Sequence, residues 1–247
     1  MAGHSKWANT KHRKGRQDAK KAKIFTKLAR AITVASREGG QDPEYNTALA
    51  NAIDKAKAEN MPNDNIDRAI KKGAGGDNSE NFETITYEGY GPNGTAFIVS
   101  CLTDNKNRTA ADVRHYFSKF GGNLGSSGCV SYLFDRLGII ALELDESADE
   151  DEVMMEALEN GADDVRIENG IAEIITAPEN FSQVSNAYKN TDYKILGADI
   201  SMIPQNEVSV TDEESIKLIL KLIDHLEDND DVQEIYHNCN LPEDAEL

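Results

Sequence analysis

The sequence has no apolar run approaching the roughly 18 residues that a membrane span requires. Its opening stretch, Met1 to Lys23, is basic and polar and lacks the apolar segment of a signal peptide. A cytoplasmic protein with no membrane contact is therefore expected. Cysteine is scarce: Cys101, Cys129 and Cys239 lie far apart and form no CxxC pair. That spacing excludes a disulfide framework or a zinc site built from Cys pairs and leaves small, buried strand residues as the expected role. Wholesale disorder is also excluded, because 39% hydrophobic residues over 247 positions is enough to build cores for one large or several small domains.

Basic residues are few beyond the first third of the chain. The formal net charge is -18, but residues 1–76 hold 16 Lys plus Arg against 8 Asp plus Glu, net +8, whereas residues 77–247 hold 10 against 36, net -26. Ten of the cations fall within the first 30 residues, where Asp18 is the single acid. Charge segregated in this way marks a basic arm for a polyanion.

After the arm, Ile24, Phe25, Leu28, Ile32 and Ala35 recur at helical spacing, and Gly39-Gly40 stops that helix. Asp42-Pro43-Glu44 reads as the start of a second helix carrying Leu49, Ile53 and Ala56. Pro62 opens a third, with Ile66, Ala69 and Ile70, that ends at Gly73 before a glycine-rich linker. Alternation around Ile85 and Tyr87, a Gly91-Pro92-Asn93-Gly94 turn, and alternation at Phe97, Val99 and Cys101 predict a β-hairpin. A helix over 108–120 and a strand over 129–134 follow. Residues 138–203 then read as βαββαβ, the ferredoxin-like order, with an Asn169-Gly170 turn between the middle strands. The amphipathic helix at 211–226 and the strand at 232–236 lack a partner unless they return to the earlier hairpin. The expected fold is α+β in three domains: a basic three-helix domain over 1–76, a discontinuous α/β domain from 80–136 plus 207–247, and a ferredoxin-like domain inserted at 137–206.

Residues that could carry chemistry are sparse. His115, His225 and His237 have no recognisable acid, base or thiol partner, and surface or satisfied histidines are the expected reading. The run Gly121-Gly122-Asn123-Leu124-Gly125-Ser126-Ser127-Gly128 passes from a helix into a strand and lacks the lysine of a P-loop, so it reads as a tight loop with positive φ at its glycines. The acids of 145–152 lack the spacing of a calcium loop and suit a helix N-terminus. No catalytic residue, metal or cofactor is expected.

The arm is different. Lys6, Lys11, His12, Arg13, Lys14, Arg16, Lys20, Lys21 and Lys23 neutralise phosphates in this reading, and Trp7, the only tryptophan, stacks on an unpaired base. A solvated basic helix anchored by Trp7 is the competing account. Lys106, Arg108, Arg114 and Lys119 form a candidate second polyanion contact, against which stands the simpler role of Asp104 to Thr109 in capping the following helix.

Three stretches resemble the YebC family of regulators, which is related to the mitochondrial translational activator of cytochrome c oxidase. They are Met1-Ala2-Gly3-His4-Ser5-Lys6-Trp7-Ala8-Asn9 with Lys11-His12-Arg13-Lys14-Gly15 and Gln17-Asp18-Ala19-Lys20; Tyr87-Glu88-Gly89-Tyr90-Gly91-Pro92 with Leu102 to Thr109; and Phe120-Gly121-Gly122-Asn123-Leu124-Gly125. Thr10, in place of a branched aliphatic, and Arg16, in place of a smaller residue, are small departures. The resemblance spans essentially the whole length. It implies three domains, no known catalytic activity, and a role either as a DNA-binding transcriptional regulator or as a translation factor at the ribosome. The sequence supplies both roles with the same arm and shows no helix-turn-helix recognition helix. DNA or ribosomal RNA is the expected partner, with protein partners for the acidic domains; the alternative from another class is a protein-interaction module without nucleic acid, whose arm docks on an acidic partner.

Overall fold

The computed structural model describes residues 17–75, 82–145, 148–189, 191–242 and 245, with side chains of the first helix described from Ala22 onward. The fold is α+β, and the chain packs as two compact units. One runs through Leu133 and resumes at Asn206; the other spans Phe134–Gln205.

The first unit begins with helices α1 (Gln17–Gly39), α2 (Thr47–Ala58) and α3 (Asn63–Ala74). Their apolar positions meet as Ile32, Leu49, Ile53, Ala56, Met61, Ile66 and Ala69. Two terminators work differently from the sequence expectation. Asp42-Pro43-Glu44 forms a turn instead of a helix start, and Asn46 caps α2 by accepting from Leu49 N at 3.1 Å. The Asn46 side-chain amide also donates to Ala35 and Gly40 carbonyls, so one buried side chain satisfies orphan groups of two helices. Gly73 does not end α3, which continues to Ala74. It is there for close approach, since a Cβ at Gly73 would lie 2.3 Å from the Thr33 carbonyl oxygen.

The same unit continues with β1 (Glu83–Tyr90), β2 (Ala96–Thr103), α4 (Lys106–Lys119) and the two-residue β3 (Asn123–Leu124). The predicted strand over 129–134 is absent: Ser131–Leu133 is a 3₁₀ turn. The amides of Gly128, Val130 and Ser131 donate to the Glu88 carboxylate and are not available to a ladder. The chain returns as β8 (Val208–Ser209), α7 (Glu213–Asp228), β9 (Val232–His237) and β10 (Cys239–Asn240). The sheet order β3-β1-β2-β9 shows why α7 and β9 need the earlier hairpin, because β9 pairs antiparallel with β2. Inward residues Phe97, Val99 and Cys101 of β2 meet Val113 and Phe117 of α4 and Ile219, Leu222, Ile223 and Leu226 of α7. The period-2 and period-3.6 patterns of the sequence thus close on one core.

The second unit contains β4 (Phe134–Glu143), α5 (Glu150–Glu159), β5 (Asp164–Glu168), β6 (Ile171–Thr176), α6 (Phe181–Tyr188) and β7 (Lys194–Pro204). Its order, β5-β6-β4-β7 with every pair antiparallel, is that of the ferredoxin-like fold. Asn169 and Gly170 take φ values of 53° and 74°, the paired left-handed conformation a two-residue hairpin turn demands. Ile140, Leu142, Val153, Ala157, Ile174, Phe181, Val184 and Tyr188 form its core.

Candidate nucleic-acid interface

Lys23, Lys27 and Arg30 recur every three or four residues, which places them on one stripe of α1. The described members of that stripe reach the C-terminal end of α7. Lys23 Nζ lies 3.3 Å from an Asp228 carboxylate oxygen, and Lys27 Nζ donates to the Glu227 carbonyl at 2.6 Å. Arg30 donates to the Asp230 carbonyl at 3.0 Å, the Leu102 carbonyl at 3.1 Å and the Asp231 carboxylate at 2.9 Å. A helix C-terminus carries unsatisfied carbonyls and partial negative charge, so cations from a neighbouring helix are its natural complement. Burial lowers the Lys27 pKa, with the charges of Glu227 and Asp230 opposing that shift.

Asp231 is the hub of this junction. At 3% exposure its carboxylate accepts from Arg30, from Arg108 at 2.8 Å, and from the hydroxyls of Thr103 and Thr109 at 3.1 and 2.8 Å. Burial alone pushes the acid's pKa up, but the bonds from Arg108, Thr109 and Arg30 outweigh burial and hold it below the ordinary aspartate value. Beside it opens a polar cavity of about 340 Å³ lined by Arg30, Phe82, Asp104, Arg108, Asp112, Asn229, Asp230 and Asp231. The Arg30 guanidinium also stacks 4.6 Å from the Phe82 ring centroid.

Of the predicted arm residues, Lys6, Trp7, Lys11, His12, Arg13, Lys14 and Arg16 lie outside the described residues, and Lys20 and Lys21 are helical with side chains outside the description. Lys23 is exposed and engaged with Asp228. In the second set, Lys106 pairs with Glu83, Arg108 binds Asp104 and Asp231, and Arg114 and Lys119 are exposed on α4. The capping role is present at Asn105, which accepts from Arg108 N at 3.1 Å. The hub residues Arg30 and Asp231 were not among the sequence candidates. Nothing in the run Asp228 to Asp231 distinguishes Asp231 from its acidic neighbours until the chain folds.

The glycine-rich loop does gather amides around an anion, and the anion is the protein's own. Glu88, 5% exposed, accepts from Gly128, Val130 and Ser131 at 2.8, 2.9 and 2.8 Å. Burial raises its pKa, and these three backbone bonds together overcome that and leave it lowered. Glu88→Gln is expected to cost about 2 kcal/mol, because one oxygen is replaced by a donor facing donors. A lower urea midpoint with an unchanged m-value reports it.

The thiols of Cys101 and Cys239 are pushed up to about 12 by burial, which leaves them protonated and poor nucleophiles. Among the described residues no group of three or more His, Cys, Asp or Glu side chains is placed to hold a metal ion. No helix among them is long and apolar enough to cross a membrane. His225 packs against the Phe120 ring at 4.6 Å, and His237 against Phe97 at 5.5 Å.

These features define a multidomain α+β protein whose basic helical domain is clasped to an acidic α/β domain. Residues 5–76 match the TACO1/YebC protein N-terminal domain, and residues 82–239 match the TACO1/YebC second and third domain. The chain belongs to the TACO1/YebC family. It is 57% identical over 238 residues to a protein of Finegoldia magna, covering 96% of this chain and 98% of the relative. It is 59% identical over 233 residues to one of Clostridioides difficile, covering 94% and 98%. Both relatives bear the name "probable transcriptional regulatory protein". A crystal structure of a conserved hypothetical protein from Aquifex aeolicus superposes with a TM-score of 0.79 at 46% identity, covering 91% of this chain and 92% of that one.

Proposed function

We propose that this chain is a non-catalytic, cytoplasmic nucleic-acid-binding regulator of gene expression whose basic arm and first helix grip phosphates, in the manner of a DNA-binding transcriptional regulator. The observation that carries the reading is how the charge is divided. Lys23, Lys27 and Arg30 are engaged at the end of α7, while Lys6, Lys11, Arg13, Lys14, Arg16, Lys20 and Lys21 precede that junction with Asp18 as their only acid. The names of the relatives support a regulator.

A second reading, an RNA contact at the ribosome in the role of a translation factor, is favoured by Trp7. A tryptophan amid cations suits stacking on unpaired bases better than contact with a closed duplex. Crosslinking in living cells followed by sequencing of the attached nucleic acid separates the two. Discrete promoter DNA supports the first, a ribosomal RNA footprint supports the second, and no nucleic acid at all overturns both. In vitro, about six neutralised phosphates give log K against log salt a slope near -5 on duplex and nearer -4 on single strands.

A further inference from the structure

The ferredoxin-like unit carries an exposed apolar face that its own core does not use. On α5, Val153 and Ala157 point into the core. Met154, Met155 and Leu158 are 39%, 63% and 49% exposed, and Leu158 neighbours Met155 and Met154 at spacings of three and four residues. Another side of the same helix is occupied: Glu156 accepts from the Tyr193 hydroxyl at 3.2 Å, and the Asn160 carbonyl accepts from Gln183 at 3.4 Å. Helix α5 packs on β5, which among the described residues is an edge strand paired with β6 alone.

Charge specifies what this face can receive. Glu150, Asp151, Glu152 and Glu159 are exposed on α5, which contains no basic residue. Residues 134–205 hold 17 Asp plus Glu against 4 Lys plus Arg, net -13. Such a field repels nucleic acid and steers cations toward the surface. It also disfavours a second copy of the same chain, whose identical acidic rim would face this one across the contact. Methionines are unbranched and adapt to irregular apolar partners, so a Met-Met-Leu face with an acidic border suits a segment with apolar anchors flanked by lysine or arginine.

We propose that the Met154, Met155 and Leu158 face of α5 is a docking site for a cationic amphipathic helix of a partner protein. The proposal stands whether the arm grips DNA or RNA.

The test uses the full-length chain and a fluorescent amphipathic helix built from leucine and lysine, with an oligolysine of equal charge as the comparison. Anisotropy at physiological salt is expected to show the amphipathic peptide binding at least about tenfold more tightly than oligolysine, a difference of about 1.4 kcal/mol. The combined Met154→Ser, Met155→Ser, Leu158→Ser variant is expected to lose about tenfold in affinity for that peptide. Glu152→Gln with Glu159→Gln is expected to weaken it several-fold. All five positions are exposed, so circular dichroism should be unchanged in each variant. Methionine methyl resonances supply a second readout, with Met154 and Met155 expected to shift on titration while the buried Met61 does not. Equal binding of oligolysine, or full affinity in the triple serine variant, overturns the proposal. A concentration-dependent dimer of the wild-type chain that the triple variant abolishes assigns the face to self-association and overturns it equally.

Discussion

Asp231→Ala is expected to lower the unfolding free energy by about 3–5 kcal/mol, the range for removing one partner from a buried charge network. The loss does not come from attraction alone. Arg30, Thr103 and Thr109 keep their buried donors, and all three lose an acceptor in the same substitution. Thermal or urea unfolding followed by circular dichroism measures the effect, and a change below about 1 kcal/mol, as for an exposed pair, would contradict the role given to Asp231. Arg108→Ala should cost less, because Arg108 is half-exposed and Asp231 keeps Arg30, Thr103 and Thr109 as donors. Acid should act through the same carboxylate. The folded pKa of Asp231 lies below its unfolded value, as does that of Glu88. Their contributions are therefore complete above the ordinary carboxylate range, near pH 4, and are lost as pH falls through the lowered folded values. The wild-type melting temperature should show a loss below about pH 4 that Asp231→Ala lacks in part.

Reversing Lys11, Lys14 and Lys21 to glutamate is expected to abolish nucleic-acid binding while leaving the fold unchanged. Three reversals remove about three phosphate contacts and add three repulsions, and at about 0.15 M salt this exceeds a hundredfold loss of affinity. These lysines precede the junction with α7, so the clasp made by Lys23, Lys27 and Arg30 is retained. Filter binding or anisotropy on mixed duplex and single-stranded probes measures the loss, and circular dichroism checks the fold. Retained affinity would move the interface off the arm. Mutating Lys27 and Arg30 is a poor substitute, because it also loosens the attachment of the helical domain.

Much of the architecture was legible in local patterns. The spacing of Ile24, Phe25, Leu28 and Ile32 marks α1, Asn169-Gly170 marks its hairpin, and the βαββαβ order of 138–203 follows from periodicity switching between 2 and 3.6. The strand expected over 129–134 failed for a tertiary reason: Glu88, some forty positions earlier, captures the amides that a strand needs. The helix start at Asp42 failed because Asn46 bonds to the end of the preceding helix as well as to its own.

The site divides in the same way. Charge segregation is a property of composition, so the basic arm and the acidic remainder are determined by the sequence alone. Which cations are engaged internally is not, because pairing depends on which distant group arrives within about 3 Å. Arg30 and Asp231 are 201 positions apart, and only the return of α7 and β9 to the hairpin at 83–103 brings them together. The exposed side of α5 shows the converse. Its sequence reads as an ordinary amphipathic helix with apolar residues to bury. Only the packed structure shows that Val153 and Ala157 fill the core and leave Met154, Met155 and Leu158 outside it.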